Sequence, residues 1–196
     1  MAACLRLRLV NAVVAQRALL FAHPDAPGDA AWSIAVEAQL DAGPTLACRY
    51  SLIGDMEHVR VPGARAGRRA DDLWKHTCFE AFVAADDTAG YFEFNFSPSL
   101  EWAAYRFTDY RAGMSAAPVG QAPGLQVRRT ASQLELTANV HLAGLEPLCS
   151  APVLRLGLAA VIEEDNGRLS YWALQHPPGN PDFHHPDGFA LELRSA

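Results

Sequence analysis

No apolar run in this sequence is long enough to cross a bilayer as a helix, so an integral helical membrane protein is not expected. Cysteine is sparse: Cys4, Cys48, Cys78 and Cys149 lack CxxC spacing, which argues against a zinc knuckle or a redox pair. Free thiols buried as small hydrophobes are expected instead. A basic excess is also missing, because 16 Lys and Arg face 22 Asp and Glu for a net charge of −6. Non-specific nucleic-acid binding needs clustered cations to displace counterions, and the Arg60 to Arg69 stretch reads as a solvated loop. The opening residues, MAACLRLRLVNAVVAQRALLF, lack the apolar centre of a targeting peptide, since Arg6, Arg8 and Arg17 interrupt it. The expectation is an uncleaved, cytoplasmic chain. No repeat, heptad or low-complexity tract is present.

What is present is about a dozen short apolar runs punctuated by turn residues, within 196 residues that are 50% hydrophobic. Leu5, Leu7 and Leu9 alternate with arginines as a half-buried strand. Trp32 to Leu40 and Leu46 to Ile53 flank a Gly43-Pro44 turn and read as a hairpin, whereas Gln16 to Ala22 fits either a strand or a helical turn. Val153 to Ile162 is almost continuously apolar, as a central strand covered on both faces would be, and Asn166-Gly167 marks the hairpin that follows it. The pattern predicts one domain over 1–196, an all-β antiparallel sandwich with one or two short helical turns.

The stretch from Leu73 to Phe107 carries the chemistry. Read with period two, its three runs place Phe79, Ala81, Val83, Phe92, Phe94 and Phe96 on a core face. Trp74, His76, Cys78, Glu80, Glu93 and Asn95 then fall on the reverse, and Trp102 and Arg106 are assigned to that side as well, opposite Ala103, Tyr105 and Phe107. Aromatics beside fixed hydrogen-bonding groups suit a ring-shaped, polyhydroxylated ligand, whose apolar face stacks while its hydroxyls need partners. The other reading is a second buried face, covered by another sheet or a loop and satisfied internally.

Three stretches, LWKHTCFEAF, YFEFNFSPSLEWAAYRF and SYWALQHPPGNPDFHHPDGFALEL, resemble bacterial DOMON-like proteins related to family 9 carbohydrate-binding modules. The resemblance covers the chain from about Asp71 onward. It implies an immunoglobulin-like or jelly-roll sandwich, with sugar or haem as the ligand classes known for relatives. It also implies a clamp of two tryptophans, here Trp74 and Trp172, with Glu80, Asn95 and Arg106 supplying polar contacts. His76, Trp102 and a histidine-rich loop depart from the family pattern.

The expected function is therefore non-catalytic binding of a small ligand, a saccharide by preference, through Trp74, His76, Glu80, Glu93, Asn95, Trp102, Arg106 and Trp172. No cofactor is expected. Haem is a lesser alternative, with His76 and Met56 or Met114 as axial ligands. Glu80 and Glu93 raise a second reading, a sugar-active hydrolase with two acids across a scissile bond. A third is a module whose aromatic face docks another protein. His176, Asp182, His184, His185 and Asp187 include metal-ligand types, though adjacent histidines on an extended segment diverge, and turn packing is the commoner use. Cys78 beside His76 has the residue types of a thiol nucleophile and base, without an oxyanion motif.

Overall fold

A computed structural model describes residues 15–41, 43–86 and 88–195; the Leu5 to Leu9 run lies outside them. Twelve strands follow in order: β1 (Gln16–Ala22), β2 (Ser33–Asp41), β3 (Thr45–Ile53), β4 (Cys78–Ala85), β5 (Tyr91–Phe96), β6 (Trp102–Phe107), β7 (Ser115–Ala116), β8 (Gly124–Arg129), β9 (Gln133–His141), β10 (Val153–Glu163), β11 (Leu169–Ala173) and β12 (Leu191–Arg194). All pairings between strands are antiparallel. Short 3-10 turns at Met56–His58, Leu73–Lys75 and Pro186–Gly188 are the helical elements among the described residues.

Strands β1-β2-β3-β9-β8 form one layer and β7-β6-β5-β4-β10 the core of the other, with β11 and β12 both pairing β10. β1 joins the layers, because it pairs β2 on one side and meets β11 at Phe21 and Ala22 on the other. This strand settles the ambiguity over Gln16 to Ala22 in favour of extended structure.

The sandwich core follows from period-two alternation. Ile34, Val36, Ala38 and Leu40 of β2 face it, as do Leu46, Cys48, Tyr50 and Leu52 of β3. From the opposite layer come Phe79, Ala81 and Val83, then Phe92, Phe94 and Phe96, then Leu154 to Ile162 at every second position. Tyr50 spans the gap: its ring lies 5.1 Å from that of Phe79 and its hydroxyl donates to the Glu80 carbonyl at 2.8 Å. A buried hydroxyl is satisfied, and β3 is tied to β4 beneath the opposite face.

That opposite face of the β6-β5-β4-β10-β11 layer holds a second apolar cluster, including Phe82, Tyr91, Tyr105 and Phe107, against which Phe183 and Phe189 of the C-terminal loop pack. β4, β5 and most of β10 are consequently buried on both sides. A loop covers part of the reverse face and leaves the rest open, so the two readings of this surface each apply to a portion of it.

Candidate functional site

The floor of the open portion is set by register. Glu80 of β4 stands opposite Asn95 of β5, and Phe82 opposite Glu93, which makes the two glutamates diagonal neighbours on one face. Asn95 is fully buried and donates from Nδ2 to Glu93 Oε1 at 2.7 Å. Its Oδ1 and the Oε1 of Glu80 have no hydrogen-bond partner. Burial, and secondarily the neighbouring Glu93, push the Glu80 carboxyl well above the ordinary carboxylate range. Glu93 is raised too, by burial, with the Asn95 bond and the charge of Arg111 opposing the shift.

Above this floor lies a cleft of about 690 Å³ lined by Glu80, Glu93 and a ring of aromatics: Trp74, Tyr105, Phe107, Tyr171 and Phe183. Trp74, 46% exposed, stands at the lip on the 3-10 turn, with Lys75 Nζ 5.6 Å from its ring centre. Tyr105 donates its hydroxyl to Asp71 Oδ1 at 2.6 Å, fixing the loop that leads into that turn.

The opposite wall is the loop after β11. His184 Nδ1 lies 2.7 Å from the Tyr91 hydroxyl, which itself accepts the Arg111 backbone N–H at 3.2 Å. In the tautomer in which Tyr91 donates to Nδ1, the ring N–H is at Nε2 and faces Glu93 Oε2 at 3.8 Å. Burial, helped by the charge of Arg111, pushes the His184 pKa down to about 4, so the ring is neutral beside Glu93 near neutral pH. Tyr91 is pushed up to about 12, chiefly by burial, and stacks on Phe107 at 4.8 Å.

Arg111, held at φ 51°, reaches Asp182 Oδ1 through Nε and Nη2 at 3.2 and 2.6 Å, and Tyr110 donates to the other Asp182 oxygen. These contacts clamp the wall to the 109–113 turn. Because Arg111 is half exposed, Asp182→Asn is expected to lower global stability by about 1 kcal/mol or less. Amide exchange across 181–189 should nevertheless accelerate, which hydrogen-exchange mass spectrometry would read as local opening.

The structure brings Trp74, Glu80 and Glu93 together around the cleft, with Asn95 beneath them. The other expected positions fall elsewhere. Trp102 and Arg106 lie on the core side of β6, because Phe96 pairs Trp102 and Phe92 pairs Arg106. The five-residue loop 97–101 preserves parity across the hairpin, so odd-numbered Tyr105 and Phe107 share the face of Glu93. Trp102 is buried in the core beneath Arg69, while Arg106 is exposed. Trp172 pairs Ala160 and is likewise in the core, with Tyr171 taking the cleft position.

His76 is not on a strand. Asp72, at φ 61°, starts a tight turn closed by the Lys75 and His76 N–H groups, so alternation counted back from β4 fails before Cys78. The His76 ring bonds Glu163 Oε2 at 2.7 Å, outside the cleft. The suggested axial partners diverge from it, since Met56 is buried between the layers and Met114 lines the cleft. Cys78 is fully buried and its thiol is pushed well above its usual range, first by burial. The loop histidines separate too: His176 bonds the Phe21 carbonyl, His184 enters the cleft and His185 caps the Pro186–Gly188 turn. Among the described residues, no group of three His, Cys, Asp or Glu is placed to hold a metal ion, and Cys48, Cys78 and Cys149 are free thiols.

Asp71, Tyr105, Phe107, Arg111, Tyr171 and Phe183 were not anticipated. Loop parity was the available signal for Tyr105 and Phe107; the others reach the cleft from turns and a later strand, which period-two reading of the central stretch does not address.

No protein-family model and no curated protein matches the chain. Solved structures do. A candidate carbohydrate-binding protein from Bacteroides uniformis ATCC 8492 superposes with a TM-score of 0.69 at 15% identity, covering 94% of this chain and 87% of that one. A family 9 carbohydrate-binding module from Caldicellulosiruptor kristjanssonii, in complex with cellotriose, superposes with a TM-score of 0.55 at 9% identity, covering 91% and 81%. The fold is thus the β-sandwich of family 9 carbohydrate-binding modules. At these identities the likeness defines architecture, and the ligand must be argued from the cleft.

Proposed function

We propose that this protein binds a saccharide, without turning it over, in the cleft between Trp74 and the 181–184 loop. The observation that carries the reading is a concave, aromatic-lined cleft whose floor is lined by Glu80, with Oε1 lacking a partner, and by Glu93. Sugars satisfy both demands at once, since their C–H faces stack on rings while their hydroxyls fill vacant acceptors. The fold shared with a module seen holding cellotriose supports the same ligand class. The resemblance of the three stretches quoted above to DOMON-like proteins points to sugar or haem, and haem is the lesser alternative for this cleft.

Glu80, held toward its acid form beside Glu93, keeps a hydrolase as the second reading. Diagonal neighbours on one face of a sheet can approach the short carboxyl spacing that retaining glycosidases use, so turnover is the outcome to test beside binding.

Thermal-shift and calorimetric titrations with gluco-oligosaccharides, monosaccharides and haemin test the proposal. A saccharide should raise the midpoint with the logarithm of its concentration, and Trp74→Ala should weaken binding about tenfold at little cost in stability. Silence with every sugar would sink the saccharide reading. Release of reducing ends during the same incubations would replace binding with hydrolysis.

A further inference from the structure

The cleft holds more carboxyl groups than cations. Asp71, Asp72, Glu80 and Glu93 line it, against Arg111. Arg111 is engaged by Asp182, and Asp72 has Lys75 at 2.9 Å. Among the described residues, Asp71, Glu80 and Glu93 have no Lys or Arg within 4.0 Å, and the histidine nearest Glu93 is neutral. Glu80 is only 3% exposed, lines the cleft, and leaves Oε1 unpartnered. Two like carboxyls side by side in a poorly solvated floor are relieved by a shared proton or by an external cation. The aromatic ring above them favours the second, because ring faces attract ammonium groups and exclude the water that would screen the charge.

Resting on the saccharide reading, we infer that the preferred ligand carries a protonated amine: an amino sugar whose ammonium group docks on Glu93 and Glu80 while its ring stacks on the aromatic lining. The neutral hydroxyls of the same ligand are left for Asp71, which lines the cleft. Docking the cation exchanges it for the proton held in the floor, so complex formation releases protons. A neutral sugar has no such exchange.

The experiment compares the β-1,4-linked glucosamine disaccharide, its N-acetylated form and cellobiose by calorimetry at about pH 5.5, where the free amine is already protonated in solution, with EDTA present and in two buffers of different ionisation enthalpy. The free amine should bind about tenfold or more tightly than either neutral sugar, with affinity falling as salt is raised and with proton release between buffers. In Glu93→Gln, whose amide oxygen can still accept from Asn95, the amine-to-neutral ratio should collapse toward unity. Equal or tighter binding of cellobiose overturns the inference and leaves saccharide binding standing. Binding of none of the three removes the saccharide reading and the inference with it. An amine preference that survives in Glu93→Gln, with thermal stability retained, overturns the carboxylate account of it.

Discussion

Trp172→Ala should cost about 3–5 kcal/mol of stability, a drop of roughly 6–20 °C in Tm for a domain of this size, while leaving the cleft lining intact. The ring is 5% exposed in the core between the layers. Its Nε1 donates to Ser170 Oγ at 3.0 Å, and a Cβ on Gly28 would come within 2.8 Å of its edge, so the backbone is moulded to it. Truncation opens a cavity that strands paired on both sides cannot collapse to fill. Trp172 pairs Ala22 of β1 and Ala160 of β10, so the damage falls where β1 joins the layers. Trp74→Ala is the opposite case, since that ring is half exposed and stands on a three-residue turn. Thermal denaturation of the two variants side by side checks the contrast. Similar losses in both would place Trp74 in a structural role and remove it from the binding surface.

Glu80→Gln should stabilise the protein at pH 7 by about 1–2 kcal/mol and weaken its hold on ligand. The sign follows from proton counting. The folded-state pKa of Glu80 lies well above the ordinary 4.5, first through burial and then through Glu93. Between those two values the native state retains a proton that the unfolded chain has released, so stability falls as pH rises across the interval. Below the ordinary value both states are protonated and the contribution is flat. An amide at this position removes the ionisation, and its NH2 can reach toward Asn95 Oδ1, which stands opposite and lacks a donor. The difference in unfolding free energy between variant and wild type should be near zero around pH 4 and grow toward pH 8. Working with the difference cancels Glu101 and Glu146, whose carboxyls are held low and titrate in the opposite sense. A variant destabilised at all pH values would mean that the Glu80 carboxylate is a structural anion with a donor of its own.

Such a stabilising substitution in the floor fits a site whose polar groups are kept short of partners for the sake of a ligand. It also shows which parts of the chain could be read in advance. The strands of the sandwich announce themselves by alternation, and β10 by the length of its apolar run, because burial on one or two faces imposes those patterns directly. Glu80, Glu93 and Asn95 were legible for the same reason: β4 and β5 are regular, and their even and odd positions cannot exchange faces.

Trp102, Arg106 and Trp172 were misplaced because a side chain's face depends on how many residues the preceding loop contains. Hydrophobicity does not reveal that when both faces of β6 are apolar. Trp74 and His76 were placed on a strand that begins only at Cys78, since the left-handed conformation of Asp72 has no signature in a pattern of apolar residues. The far wall is longest-range of all. Tyr91 and His184 meet across 93 positions of sequence, and their meeting depends on the path of a proline-rich loop.

The role of β1 as a seam has a consequence for how molecules of this protein behave toward one another. Because it carries hydrogen bonding from one layer into the next, the main ladder runs unbroken from β7 to β8. β7 is two residues long, too short to template a foreign strand. β8 ends in Arg128 and Arg129, exposed charges of the kind that blunt a sheet edge. A chain so rich in extended structure is thereby protected at both ends of its ladder from the growth into stacked fibres that open sheets invite.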